Sequence, residues 1–173
     1  MTSYKPNLKN INTFIFDYDG VLTDGSVITL DDGEAYRTTN VKDGYALQLA
    51  VKKGYRVAVI SGAKADCMLH RLKALQIKDI FLGVENKLEV FNSYLAENHI
   101  KPEQVLFMGD DIPDHEVMLK AGISSCPADA AEEIRSVANY ISHAAGGKGC
   151  VRDVIEQVLK IQGKWMNDDG YHW

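Results

Sequence analysis

The 173-residue chain has no surplus of positive charge: 19 Lys and Arg stand against 24 Asp and Glu, a formal net charge of −5. A protein that tracks nucleic acid neutralises a run of phosphates with cations, so nucleic acid is not an expected partner. Long apolar runs are missing too. None approaches the roughly 18 residues that a bilayer-spanning helix needs, so no membrane partner is expected. The opening residues 1–9, MTSYKPNLK, lack the apolar core of a secretory leader, and the expected location is the cytoplasm. Cysteine is scarce. Cys67, Cys126 and Cys150 are odd in number and far apart, which makes neither a disulfide framework nor a CxxC pair for redox work or zinc; they read as small core residues. The five histidines, His70, His99, His115, His143 and His172, share no metal-ligand spacing such as HxxxH. His115 lies beside an acidic cluster but has no partner at ligand spacing, so it reads as a structural or surface group. Proline occurs four times, and no low-complexity tract or repeat of 20–50 residues interrupts the chain.

What is present is the composition of an ordinary globular domain, 46% hydrophobic and 25% charged, and a single domain over residues 1–173 is expected. Short apolar runs alternate with longer helical patterns. The runs Thr13–Phe16, Arg56–Ile60, Asp79–Leu82, Val105–Met108 and Asn139–Ile141 read as strands buried on both faces. The stretches 43–53, 64–76, 86–98, 114–121, 130–137 and 151–161 carry apolar residues at helical spacing. That alternation predicts an α/β fold, a Rossmann-like parallel sheet with helices on both faces. One segment departs from it. Val27–Leu30 and Ala35–Thr38 flank Asp31-Asp32-Gly33, which predicts a small β-hairpin inserted after the first strand, within residues 24–40. Residues 164–173 hold Trp165 and Trp173 without any period and predict an extended tail whose aromatics find something to pack against.

Chemistry concentrates at the predicted strand ends. The first strand runs into Asp17-Tyr18-Asp19-Gly20, two carboxylates on one side of an extended chain, at the edge where open α/β sheets bind their ligands. Ser61-Gly62 follows the second buried strand, at what the pattern gives as a helix start, where backbone N–H groups favour an anion. Lys87 lies in the first turn of a helix, where a cation opposes the helix dipole unless it faces an anion. Gly109-Asp110-Asp111-Ile112-Pro113-Asp114 sets three carboxylates close together, an arrangement that repels itself unless a hard cation takes their oxygens. Taken singly, each is an ordinary turn, a helix cap or a solvated charge. In order at four strand ends, they describe a magnesium and phosphate site.

These motifs, DYDGVLT (17–23), SG (61–62), K (87) and GDDIPD (109–114), resemble those of the haloacid dehalogenase superfamily of phosphohydrolases. The resemblance implies a two-step phosphoryl transfer. Asp17 would attack phosphorus as a nucleophile and Asp19 would act as general acid and then base. Ser61, Gly62 and Lys87 would bind the phosphoryl group. A Mg²⁺ cofactor would be held by Asp17, the backbone carbonyl of Asp19 and Asp110, with Asp111 and Asp114 ordering its water shell.

Many members of that superfamily insert a cap domain after the first motif or between the second and third; the spacings here leave no room for one. The hairpin, the run TNVKDGY (39–45) and the run AGGKGCVR (145–152) resemble the capless branch typified by phosphatases of 3-deoxy-D-manno-octulosonate 8-phosphate (KDO 8-phosphate). That branch implies a phosphorylated sugar acid as substrate, a step in making the lipopolysaccharide sugar KDO. It also implies a homotetramer in which hairpins form a central barrel and neighbouring chains close each site. Candidates to touch the substrate are Tyr18, Asn40, Lys42, Arg71 and Lys148, with Arg71, Lys42 and Lys148 suited to its carboxylate. A nine-carbon sugar acid 9-phosphate is the alternative substrate. A non-catalytic oligomerisation module and a phosphoacceptor receiver domain are the alternative functions; Asp19 would have no task in a receiver domain.

Overall fold

The computed structural model describes residues 4–166. Six parallel strands form the sheet: β1 (Thr13–Phe16), β4 (Arg56–Ser61), β5 (Asp79–Leu82), β6 (Val105–Met108), β7 (Ile123–Cys126) and β8 (Tyr140–Ile141), in the order β5-β4-β1-β6-β7-β8. The strand β1 takes the centre, and all four of its residues are buried. Its side chains alternate between two cores. Phe14 and Phe16 join the layer of α1 (Val41–Lys52), α2 (Asp66–Ala74) and α6 (Cys150–Ile161), whereas Ile15 joins that of α3 (Lys87–Glu97), α4 (His115–Met118) and α5 (Glu132–Val137). The predicted hairpin is there, as β2 (Ile28–Thr29) paired antiparallel with β3 (Ala35–Tyr36). No cap domain stands among the described residues.

The strand β7 has no counterpart in the sequence pattern. Ile-Ser-Ser-Cys carries two hydroxyls, yet all four residues are buried. The hydroxyls are satisfied by backbone: Ser125 Oγ donates to the Phe107 carbonyl of β6 at 3.0 Å and Ser124 Oγ to the Val137 carbonyl at the end of α5 at 3.1 Å. Cys126 and Cys150 are core residues, whereas Cys67 is half-buried and points its thiol at the Ala35 carbonyl. Of the tail, only residues 164–166 lie within the described part. There Trp165 meets Tyr45 edge-on, with ring centroids 6.4 Å apart, and the Arg152 guanidinium sits 5.4 Å above its ring. His172 and Trp173 lie outside the described residues. No described helix is long and apolar enough to cross a membrane.

Candidate active site

The central position of β1 places its C-terminal end between those of β4 and β6, and the three loops that leave these ends share one cleft of about 410 Å³. Asp17 extends the ladder one step, its N–H donating to the Met108 carbonyl at 3.0 Å. The chain then turns tightly. The Tyr18 carbonyl accepts from Leu22 and Thr23, the Tyr18 ring is buried in the core beside α1, and Asp17 and Asp19 both face the cleft. The turn requires glycine at position 20, where φ is +82° and a Cβ would come within 2.0 Å of Asp110 Oδ2.

Asp17, Asp110 and Asp114 each offer a carboxylate oxygen within 4.8 Å of the others. Lys87, the first residue of α3, reaches in between them. Its Nζ is 2.7 Å from Asp114 Oδ1 and 3.0 Å from Asp17 Oδ1, and its side chain is 5% exposed. Asp114 is fully buried and also accepts from the Asp110 N–H at 3.1 Å, so it holds both the lysine and the loop. Burial, with the neighbouring Asp17 and Asp114 charges, pushes the Asp110 carboxyl up to about 8. Burial and then Asp114 raise Asp17 to about 6 against the opposing pull of Lys87. Desolvation lowers the Lys87 ammonium, but the two carboxylates outweigh it and hold the group above its ordinary value.

This arrangement fits a divalent cation. Once ionised, three carboxylates against one ammonium leave a deficit of two positive charges, and the buried Asp110 Oδ1 lacks a hydrogen-bond partner. An all-oxygen donor set of this kind suits a hard ion such as Mg²⁺.

The other expected residues divide. Ser61 ends β4, is buried and lines the cleft with Gly62. The helix start expected there is not at that point: α2 begins at Asp66, because Gly62–Ala65 runs as a loop that returns Gly83 N–H to the Ala63 carbonyl. Asp111 is exposed and accepts from its neighbour Ile112 at 2.8 Å. Of the substrate candidates Tyr18, Asn40, Lys42, Arg71 and Lys148, none lines the cleft. Asn40 caps α1, accepting from the Lys42 N–H at 2.8 Å, and donates to the Gly147 carbonyl at 3.2 Å. Lys42 is exposed in the first turn of α1, and Lys148 pairs with Asp24 at 3.2 Å. Arg71, with Tyr18, lines a tight crevice beside Gly44; a Cβ on that glycine would lie 2.5 Å from the guanidinium.

One functional side chain has no signal in the sequence. Arg37, just past β3, donates from Nε to both Asp19 oxygens at 2.8 and 3.0 Å. It is a lone arginine at no motif spacing. Thr23 Oγ1, inside the first motif, donates to Asp19 Oδ1 at 3.2 Å.

Comparison with known proteins agrees with this geometry. Residues 30–128 match the profile of the haloacid dehalogenase-like hydrolases. The chain is 40% identical over 156 residues to the 3-deoxy-D-manno-octulosonate 8-phosphate phosphatase of Salmonella typhi, covering 90% of this chain and 83% of that protein. It superposes with a TM-score of 0.92 on the crystal structure of that phosphatase from Yersinia pestis, at 34% identity and with 94% of this chain and 88% of the other covered. The corresponding enzyme of Moraxella catarrhalis was crystallised with magnesium, phosphate and KDO. It gives a TM-score of 0.91 at 32% identity, covering 94% of each chain. Cleft, topology and similarity converge: the chain belongs to the haloacid dehalogenase-like hydrolases, in the capless branch of the 3-deoxy-D-manno-octulosonate 8-phosphate phosphatases.

Proposed function

We propose that the protein is a Mg²⁺-dependent phosphomonoester hydrolase that releases phosphate from 3-deoxy-D-manno-octulosonate 8-phosphate through an aspartyl-phosphate. The observation that carries this is the buried group of Asp17, Asp110, Asp114 and Lys87, flanked in one cleft by Asp19 and Ser61. At neutral pH Asp17, with its carboxyl at about 6, is chiefly ionised and able to attack. Its oxygen forms a bond to phosphorus as the bond to the sugar oxygen breaks. Asp19 gives that oxygen a proton, then takes one from the water that cleaves the aspartyl-phosphate. Ser61 Oγ and Lys87 Nζ hold phosphoryl oxygens, supplying position and charge, on which this chemistry chiefly depends. Asp17, the Asp19 carbonyl and Asp110 would hold the cation, with Asp111 and Asp114 on its water shell; when bound it neutralises phosphoryl charge.

The cleft is open, and exclusion of water calls for a lid. The hairpin offers one in trans. Val27, Ile28, Leu30 and Tyr36 are exposed on it, a face suited to a second copy of this chain in a closed homotetramer. The substrate carboxylate then meets basic side chains of a neighbour, for which Lys42 and Lys148 remain accessible.

The test is phosphate release by the purified protein with Mg²⁺ from KDO 8-phosphate, a nine-carbon sugar acid 9-phosphate and glucose 6-phosphate. The expected result is the highest kcat/KM on the eight-carbon acid and loss of activity with a chelator. Equal rates on glucose 6-phosphate would leave only a generic phosphatase.

A further inference from the structure

Arg37 stands outside every motif, yet its guanidinium reaches both oxygens of the acid–base residue. It leaves the hairpin and folds back over the catalytic turn. Nε is shared between both Asp19 oxygens, and Nη1 donates to the Ala35 carbonyl at 3.3 Å. The same carbonyl receives the Cys67 thiol at 3.5 Å, so the hairpin's second strand is fixed to α2 at this point. Although charged, the Arg37 side chain is only 8% exposed, against 27% for Asp19.

Four acids of the cleft, Asp17, Asp19, Asp110 and Asp114, are treated differently. Asp110 keeps a buried oxygen without a hydrogen-bond partner, Asp17 and Asp114 share Lys87, and the three form the close group. Asp19 is outside that group and has both oxygens engaged, by Arg37 and, on Oδ1, also by Thr23. A hard cation draws any carboxylate oxygen within reach, and an acid that swung onto it would be lost to proton transfer. A planar guanidinium, already half-anchored on Ala35, opposes that swing at little further cost in side-chain freedom.

We infer that Arg37 is a positioning residue for proton transfer: it holds Asp19 out of the cation-binding group, on the solvent side of the cleft where the alcohol departs, and couples that transfer to the seating of the hairpin. The inference rests on the phosphatase reading above. In the step it serves, the Asp17 oxygen bonds to phosphorus, the ester P–O bond breaks, and a proton carried on one Asp19 oxygen, the other staying on Arg37 Nε, passes to the departing oxygen, which leaves as the neutral alcohol.

Leaving-group dependence tests it. An alkyl phosphate expels a strongly basic alkoxide that needs the proton, whereas p-nitrophenyl phosphate expels a weakly basic phenolate that does not. The quantity to compare is kcat/KM, which ends at alcohol release and is blind to the later hydrolysis. General acid help is worth about 10²–10⁴-fold, so Arg37→Met, with Mg²⁺ saturating, should lose about 10- to 100-fold on the sugar phosphate and under about threefold on p-nitrophenyl phosphate. Arg37→Lys, which returns a cation of similar reach, should regain most of the loss, with a thermal melt like the wild type. Equal losses on both esters, or no loss on either, would overturn the inference. Wild-type protein silent on both esters would overturn the phosphatase reading instead, and that is seen before any variant is made.

Discussion

At Asp17 the exchange of one oxygen for nitrogen separates the covalent route from every rival. Asp17→Asn keeps the shape beside Lys87 but removes the nucleophile, so phosphate release should fall to background while circular dichroism stays that of the wild type. More than a small residue of turnover would rule out the aspartyl-phosphate. Its neighbours carry a second prediction. Burial, then like charge, holds Asp17 at about 6 and Asp110 at about 8, both above the ordinary 3.8. A carboxyl raised in this way favours the fold while protonated, and the advantage is lost as pH climbs through the folded value. Chelated protein should therefore melt at steadily lower temperature as pH rises from the ordinary carboxyl value of 3.8 towards about 8, with Asp17 contributing up to about 6 and Asp110 over the whole span. Mg²⁺ binds the ionised oxygens and has the opposite sign, so its stabilising effect should grow over the same window. Thermal melts with chelator and with Mg²⁺ at several pH values measure both slopes; a melting temperature that does not move with pH would refute the buried acid group. Asp17, Asp19, Ser61, Lys87 and Asp110 were legible from sequence because each closes or follows an apolar run. Arg37 was not: its partner is 18 residues away and only the folded hairpin brings them together.

Among the elements, the strands whose residues are apolar were legible, and β7 was not. Ser124 and Ser125 hide it, because a buried hydroxyl that bonds to backbone looks in sequence like a loop residue. Asn40 misled in the opposite direction. Placed just before an amphipathic stretch it had the chemistry of a helix cap, and that is where its side chain is spent. Three residues on, Asp43 performs a task between helices. Buried in the first turn of α1, its carboxylate accepts from the N–H groups of Gly149 at 3.1 Å and Arg152 at 2.7 Å, and so caps α6 from outside. The loop ahead of α6 is thereby pressed onto the catalytic turn, so closely that a Cβ on Gly146 would lie 2.0 Å from the Gly20 carbonyl. Asp43→Ala leaves two N–H groups without that acceptor, at a cost of about 1–3 kcal/mol each where they are buried. Urea unfolding should show a midpoint shifted down by that order with the slope unchanged. An unaltered midpoint would mean that solvent, and not Asp43, caps the helix.

For the whole molecule, a chain with no cap among its described residues leaves the cleft open on one side, and the tetramer proposed above would place specificity beyond the single chain. The sheet, its two core layers and the direction of the cleft could be read from alternation and motif order. What closes the cleft could not, since an exposed apolar hairpin has no meaning until it has something to cover it. Ile28 is 58% exposed and Tyr36 46% exposed, and the two are register partners in the ladder. Single exposed apolar residues are common on any protein; four on one short hairpin, two of them register partners, are a concentration of the kind found at interfaces. A charge placed in such an interface is desolvated without a partner and costs several kcal/mol, whereas on a free monomer it costs nearly nothing. Ile28→Glu lies away from the Asp17 group, so it reaches the chemistry through assembly or through the hairpin that carries Arg37, and the Arg37→Met variant, which leaves the apolar face intact, is the control that separates the two. Light scattering should give a tetramer for the wild type and a smaller species for Ile28→Glu. The variant should keep turnover of p-nitrophenyl phosphate, which needs only the chain's own cleft, and lose most of its kcat/KM on KDO 8-phosphate, which needs the neighbour. A wild-type monomer, or a dissociated variant with full activity on the sugar acid, would show instead that one chain closes its own site.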